Sequence, residues 1–211
     1  MGKKSSFLFS ARESYTQHVL KAIGVPVIPF YADVQYKQVI HFNLKNELTL
    51  TGVVGYDKYT LNLGAEPTES LLYNTGYIPE GKQVVYAAGA VYKHYLENSF
   101  YTVVLSRNHF YNYAEKFINN SLMEQDRLFD FTSKESENKL RIEHKIFRDK
   151  QEWNYGISME SDQVDIQEYS LTSRAANSID EVNFHSLMNF VRYGAFGSFS
   201  LSKSNNVAPA A

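Results

Sequence analysis

The sequence contains no cysteine. This absence excludes disulfide bonds, thiolate metal sites and a cysteine nucleophile. It also fits a protein that stays in a reducing compartment.

Long apolar runs are also missing. The only apolar patch near the start, Phe7-Leu8-Phe9, is shorter than the core of a signal peptide and is followed by Arg12 and Glu13. No segment approaches the roughly 18 apolar residues of a membrane-spanning helix. Gly2 formally fits a myristoylation pattern, but a disordered start is the simpler interpretation. We therefore expect a soluble, cytoplasmic protein without membrane contact.

A basic stretch is the third absence. The formal net charge is −2, the pI is about 6.3, and no run of Lys and Arg is longer than two residues. Proteins that bind duplex nucleic acid carry a positive surface, because contacts with phosphates supply most of their affinity. The charge pattern therefore argues against strong nucleic-acid binding.

Aromatic residues are abundant. The chain has 16 Tyr and 14 Phe but one Trp. Tyrosine suits half-buried strands and hydrated interfaces, because its ring packs while its hydroxyl group stays in contact with water. The composition therefore favours a β-rich fold.

Apolar periodicity predicts three helices. Two begin with a Ser-x-x-Glu capping box, at Ser10 and at Ser178, and one begins near Asn108. The helix after Ser10 is predicted over residues 11–23, with Gly24 as its C-terminal glycine. The helix near Asn108 is predicted over residues 108–123. The third begins at residue 178 and ends at Gly194.

Alternation of apolar and polar residues predicts strands in much of the remainder. A hairpin is predicted around Lys45-Asn46, and a three-stranded meander over residues 139–173 with turns at 148–151 and 161–162. Further strands are predicted at residues 59–63, 99–105 and 196–201, a loop at 67–81, and either a helix or a strand at 83–96.

This order of elements predicts an α+β protein with an antiparallel sheet, in the form of a β-barrel-like or sandwich core, about three helices and long β-hairpins. We expect one domain over residues 1–201, followed by an extended polar tail over 202–211.

One constellation resembles a catalytic site. Asp130 followed by Glu143-His144-Lys145 resembles the PD-(D/E)xK pattern of Mg²⁺-dependent nucleases. That resemblance implies two carboxylates that hold the metal ion and a lysine that activates water. The alternative, which we prefer, is that Glu143 and Lys145 belong to the solvated face of an amphipathic strand.

No other pattern assigns a catalytic, cofactor-binding or metal-binding residue. The six histidines lack the spacing of a zinc site, and no phosphate-binding loop is present. A tyrosine-rich surface could bind a small ligand or glycan; its residues would be Tyr73, Tyr77, Tyr92 and Tyr95.

The preferred function is therefore structural rather than enzymatic. Long hairpins pair with neighbouring chains through their edges, and a near-neutral charge suits dense assemblies. We expect one subunit of a homo-oligomeric ring or tube that contacts other structural proteins, in the style of a phage neck, connector, tail or capsid-auxiliary component of the virion.

Overall fold

The computed structural model describes residues 4–64, 68–121, 123–175 and 178–202. These residues form one antiparallel sheet of eight strands in the order β1 to β8, so that each strand pairs with its neighbours in sequence. The strands are β1 (Ser5–Glu13), β2 (Val27–Asn43), β3 (Asn46–Leu61), β4 (Glu80–Tyr95), β5 (Ser99–Phe117), β6 (Arg127–Arg148), β7 (Gln151–Ala175) and β8 (Ser178–Leu201).

Helices are few and short. Helix α1 (Thr16–Ala22) connects β1 to β2, and α2 (Glu69–Tyr77) connects β3 to β4. Two single 3₁₀ turns, Ile118–Asn120 and Glu124–Asp126, lie between β5 and β6. No helix of the described residues is both long and apolar enough to cross a membrane.

The prediction of an α+β fold with about three helices is wrong, because 76% of the described residues are in strands and only two α-helices occur among them. The third predicted helix is part of β8. Its apparent helical stripe combines the two faces of a strand, with Phe184 and Met188 on one face and Leu187 and Val191 on the other. A strand that is apolar on both faces imitates helical spacing.

The other two predicted helices are corrected as well. Residues 108–117 belong to β5, and only the single turn at 118–120 is helical in the remainder. Residues 11–13 pair with β2, so the capping box at Ser10 does not begin a helix; α1 begins at Thr16 instead. Gly24 does follow that helix, with a φ of +73°.

The strand predictions agree with the structure more closely than the helix predictions do. The hairpin between β2 and β3 is confirmed, and the segment 83–96 lies almost wholly in the strand β4. The meander in residues 139–173 is confirmed at its first turn, whereas no turn interrupts β7 at 161–162. The predicted loop at 67–81 contains α2, and the predicted tail lies outside the described residues except for Ser202.

The sheet buries very little side-chain surface. Among the described residues, Ala114 and Phe117 are the only hydrophobic side chains that the fold buries. The accessible surface is 15125 Å², whereas a compact monomer of this mass exposes roughly 10,000 Å². The described residues thus form a single layer with two broad open faces, and no second layer covers either face within this part of the chain.

Gly156 allows a close contact between strands. A Cβ atom at this position would lie 2.5 Å from the carbonyl oxygen of Ile142 and 2.9 Å from the Phe196 ring. The ring of Phe196 therefore lies over β7 only because residue 156 has no side chain.

We expect Gly156→Ala to lower the free energy of unfolding by about 1–3 kcal/mol, because the added methyl group must displace backbone or the Phe196 ring. Urea unfolding measures this difference. Gly197→Ala is the matched control on β8, because a Cβ there meets nothing within 4 Å. Equal effects of the two substitutions would contradict the close packing.

Candidate functional site

The structure does not bring the nuclease-like residues together. Asp130 and Glu143 lie on the same strand, β6, but on opposite faces, and they are separated by about 43 Å along it. Arg127 binds Asp130 at 2.7 Å, Arg141 binds Glu143 at 3.1 Å, and Lys145 pairs with a glutamate on β7. Their arrangement offers no shared metal position.

The four tyrosines of the predicted ligand surface are also dispersed. Tyr73 and Tyr77 contact each other edge to face on α2, with ring centroids 5.3 Å apart. Tyr92 and Tyr95 lie at the opposite end of β4 and, because their positions differ in parity, on opposite faces of it. They do not form one aromatic platform.

The two faces of the sheet differ in exposure along β7, as expected where a twisted sheet curves. On β7 the side chains of one face are exposed and those of the other are half-buried; the exposed set is Trp153, Tyr155, Ile157 and Met159, and the half-buried set is Glu152, Asn154, Gly156 and Ser158. We call the face that contains Ile157 the convex face and the face that contains Ser158 the concave face.

The convex face carries an apolar band at one end of the strands. In register across β5, β6 and β7 lie Val103, Ile142 and Ile157, and in the adjacent row Leu105, Leu140 and Met159. The band continues on β3 and β8, where the convex positions are Leu48, Leu50, Gly52, Val54 and Tyr56, and Val191, Tyr193, Ala195, Gly197, Phe199 and Leu201.

Aromatic rings border this band near the turns. His144 stacks on Tyr101, with ring centroids 3.9 Å apart, and its Nδ1 atom lies 2.7 Å from the hydroxyl group of Tyr155. In the next row Trp153 packs against Phe199, with ring centroids 4.6 Å apart.

The concave face behind the same band is charged. Arg141 pairs with Glu143, and Lys145 pairs with Glu152 at 2.6 Å. The same rows therefore have apolar side chains on one face and ion pairs on the other.

A larger ion-pair network links β6, β7 and β8 on the concave face. Lys139 binds Glu137 at 2.8 Å and Glu160 at 3.4 Å. Arg192 binds Asp162 at 2.7 Å and also donates to Glu160. The hydrogen bond from Lys139 lowers the pKa of Glu137, with a further contribution from Asn108.

The three carboxylates of this network are close enough to hold a metal ion. Oxygen atoms of Glu137, Glu160 and Asp162 lie within 4.8 Å of one another. Lys139 and Arg192 already bind these oxygens, so the charge that a cation would neutralise is largely compensated. The arrangement stabilises strand pairing and assigns no metal.

On β6 and β7 the polarity of both faces reverses beyond the network. There the concave positions Phe131 and Val164 are apolar and the convex positions Lys134 and Asp165 are polar. On β8 the convex face keeps apolar residues, such as Leu187 opposite Asp165. A concave cavity of about 810 Å³ lies at this transition, between the ion pairs and the aromatic side chains.

One buried cation lies apart from these surfaces. Lys116 donates to the carbonyl oxygens of Thr75 and Ile78 and to the side chain of Asn120. Burial lowers the pKa of Lys116. Its contacts fix α2 and the 3₁₀ turn at residues 118–120 against β5, which is a structural role.

Sequence reasoning missed the residues of the network and the cavity. The available signal was the alternating charge from Glu135 to Lys145, which indicates one polar strand face. It could not show that Glu160, Asp162 and Arg192 lie opposite that face, because the pairing partners of β6 and β8 depend on register.

We expect Lys139→Met to reduce the free energy of unfolding by at most about 1 kcal/mol at neutral pH, because the ion pair is partly exposed. The pKa of Glu137 is lowered in the folded state, so this contribution is present above the ordinary value of about 4.3 and is lost as the pH falls through the lowered pKa. Urea unfolding of wild type and variant at pH 7 and pH 3 measures the difference. Lys58→Met is the control, because Lys58 lies opposite Lys82 rather than a carboxylate. If Lys139→Met has the same effect at pH 3 as at pH 7, the ion pair between Lys139 and Glu137 is not its cause.

No protein-family model matches the chain, and no curated protein matches it. Two receptors are among the solved structures that match this chain. The ferric-catecholate import receptor Fiu from E. coli K12, in its open form, has a TM-score of 0.52 at 10% sequence identity over 84% of this chain. The ferric yersiniabactin uptake receptor FyuA from Yersinia pestis has a TM-score of 0.46 at 8% identity over 82% of this chain. This chain covers 34% and 25% of those receptors, respectively, so it spans about a third or less of their length.

Proposed function

We propose that this protein forms part of the wall of a closed, membrane-spanning antiparallel sheet. Its convex face contacts lipid, and its concave face lines a hydrated interior for polar solutes. The observation that carries this proposal is the opposite polarity of the two faces within the same rows of strands.

The convex band has the chemistry that lipid contact requires, and on β3 and β8 it also has the length. On β3 it runs over residues 48–56 and on β8 over residues 191–201. A tilted transmembrane strand needs about 9–11 residues, and its outward side chains alternate with inward polar ones. In water the same exposed apolar band would favour aggregation.

The aromatic residues at the edge of the band support the same orientation. Trp153, Tyr155 and Tyr101 lie at the end of the band that is nearest the turns. Tyr and Trp rings are enriched where hydrocarbon meets headgroups, because one part of the ring system is apolar and another forms hydrogen bonds.

The concave ion pairs require water or protein on their side of the sheet. Arg141, Glu143 and Lys145 lie directly behind the apolar band. Charged side chains that face hydrocarbon are costly, whereas the same side chains are tolerated in a hydrated interior. The convex face is therefore suited to lipid and the concave face to water.

The sheet needs further strands to close. Its order ends at β1 and β8, which do not pair with each other in the described residues. Unpaired edge groups are not tolerated in hydrocarbon, so the edges must pair with additional strands. The likeness to Fiu supports the fold of a broad antiparallel sheet alone, and the proposed membrane role rests on the polarity of the two faces.

We expect Ile157→Arg to reduce the free energy of unfolding from bilayers by about 2–4 kcal/mol, because it places a charge on the lipid face. An exposed position in a water-soluble protein tolerates such a change within about 0.5 kcal/mol, and Ile157 is 59% exposed. Urea-dependent unfolding from vesicles, followed by the emission of the one tryptophan, Trp153, measures the cost.

Ser158→Arg is the matched control, because the adjacent residue lies on the concave face. It should fold into vesicles with a cost well below that of Ile157→Arg. Equal costs would contradict the assignment of faces. Brominated lipids should quench Trp153, and a failure to quench it would contradict lipid contact.

The open edges also favour a second candidate, which is the homo-oligomeric ring or tube expected from the sequence. Copies of this chain could close the sheet by pairing β8 of one subunit with β1 of the next, with no other protein needed. A place in a phage virion stays a prediction.

This candidate predicts a discrete multiple of the 24.2 kDa chain mass. Light scattering after size-exclusion chromatography, with bound detergent subtracted, measures it. Pro substitutions at positions of β8 whose N–H groups face the open edge should reduce the assembly to single chains. A single-chain mass for the folded wild type would exclude the ring.

A further inference from the structure

We propose that the concave cavity binds an organic cation with an apolar body, such as a protonated amine or quaternary ion that carries hydrocarbon groups. Nothing in this inference requires the membrane, because the side chains on which it depends lie on the concave face.

The cavity has the size and walls of a small-molecule site. Its volume is about 810 Å³, within the range of about 300–1,000 Å³ that is usual for ligand sites. Strands β4 to β8 all contribute to it, and its apolar walls are Val85, Phe110, Val164 and Phe190. These side chains provide a surface for the hydrocarbon part of a ligand.

The cavity also holds a carboxylate without an ionic partner. Glu135 lies in register between Phe110 on β5 and Val164 on β7. The hydrogen bond found for its side chain comes from the hydroxyl group of Ser133, at 3.4 Å. In the part of the chain that the structure describes, no Lys, Arg or His forms an ion pair with Glu135.

The other carboxylates in the cavity are compensated. Glu137 is bound by Lys139, and Asp162 is bound by Arg192. Of the carboxylates that line the cavity, Glu135 is therefore the one without an ion pair, and it makes the cavity anionic. An anionic ligand would meet this uncompensated carboxylate between two apolar walls.

The chemistry around Glu135 favours an organic cation over a metal ion. Ca²⁺ and Mg²⁺ require several oxygen ligands around one point, whereas the neighbours of Glu135 in its row are apolar. A cation that carries hydrocarbon groups can pair with the carboxylate while it contacts the faces of Phe110 and Phe190. These complementary features identify the ligand class.

Two ions of the same shape and opposite charge test the proposal: tetraphenylphosphonium and tetraphenylborate. Equilibrium dialysis of the full chain in detergent, with protein-free detergent as the blank, gives the affinity for each ion. We expect Glu135→Gln to weaken tetraphenylphosphonium binding about tenfold and to leave tetraphenylborate binding unchanged or stronger. Because both ions partition into detergent, the result depends on the difference in affinity between wild type and variant.

Two further variants separate the contributions of charge and walls. Glu135→Lys should favour the borate over the phosphonium relative to wild type. Phe190→Ala should weaken binding of the phosphonium through loss of ring contact. Glu143→Gln is the matched control, because it removes a carboxylate from the same face of β6 outside the cavity.

The proposal is overturned if Glu135→Gln and wild type bind the phosphonium equally, or if Glu143→Gln weakens binding as much as Glu135→Gln does. Charge-dependent binding together with no quenching of Trp153 by brominated lipid would support this site and reject the membrane wall. Quenching of Trp153 without charge-dependent binding would support the membrane wall and reject the cation site.

Discussion

The backbone hydrogen-bond ladder from β1 to β8 is the constraint on which the rest of this structure depends. Side-chain burial contributes little, since Ala114 and Phe117 are the only buried hydrophobic side chains of the described residues. The ladder also fixes the register, and register decides the face on which each side chain lies. A shift of one residue would move Ile142 to the concave face and Glu143 to the convex face.

That register creates chemistry that single strands lack. Lys139 on β6, Glu160 on β7 and Arg192 on β8 meet because three strands place them in one row. On β6 and β7 the polarity of each face then reverses along the strands, and the cavity around Glu135 lies where the reversal occurs. On these two strands, the proposed membrane wall and the proposed cation site therefore use different stretches of the same chain.

The errors made from sequence share a physical cause. Helical spacing at Phe184, Leu187, Met188 and Val191 arises because β8 is apolar on both faces, and an amphipathic helix and such a strand cannot be distinguished by spacing alone. The alternation in β6 was recognised correctly because only one face of that segment is apolar. Likewise, Asp130 and Glu143 fit a sequence motif, but they lie far apart along one strand, and their odd and even positions place them on opposite faces of it.

The sequence by itself determined the β-rich character, the hairpin at the turn between β2 and β3 and the turn between β6 and β7, because these features depend on local propensity and alternation. The absence of cysteine also excluded all thiol chemistry. Only the tertiary structure decided that all eight strands form one open layer, that two faces of opposite polarity exist, and that Glu135 lies alone between apolar walls. These features depend on which strands pair and in what register, and pairing between distant residues is not encoded in local spacing.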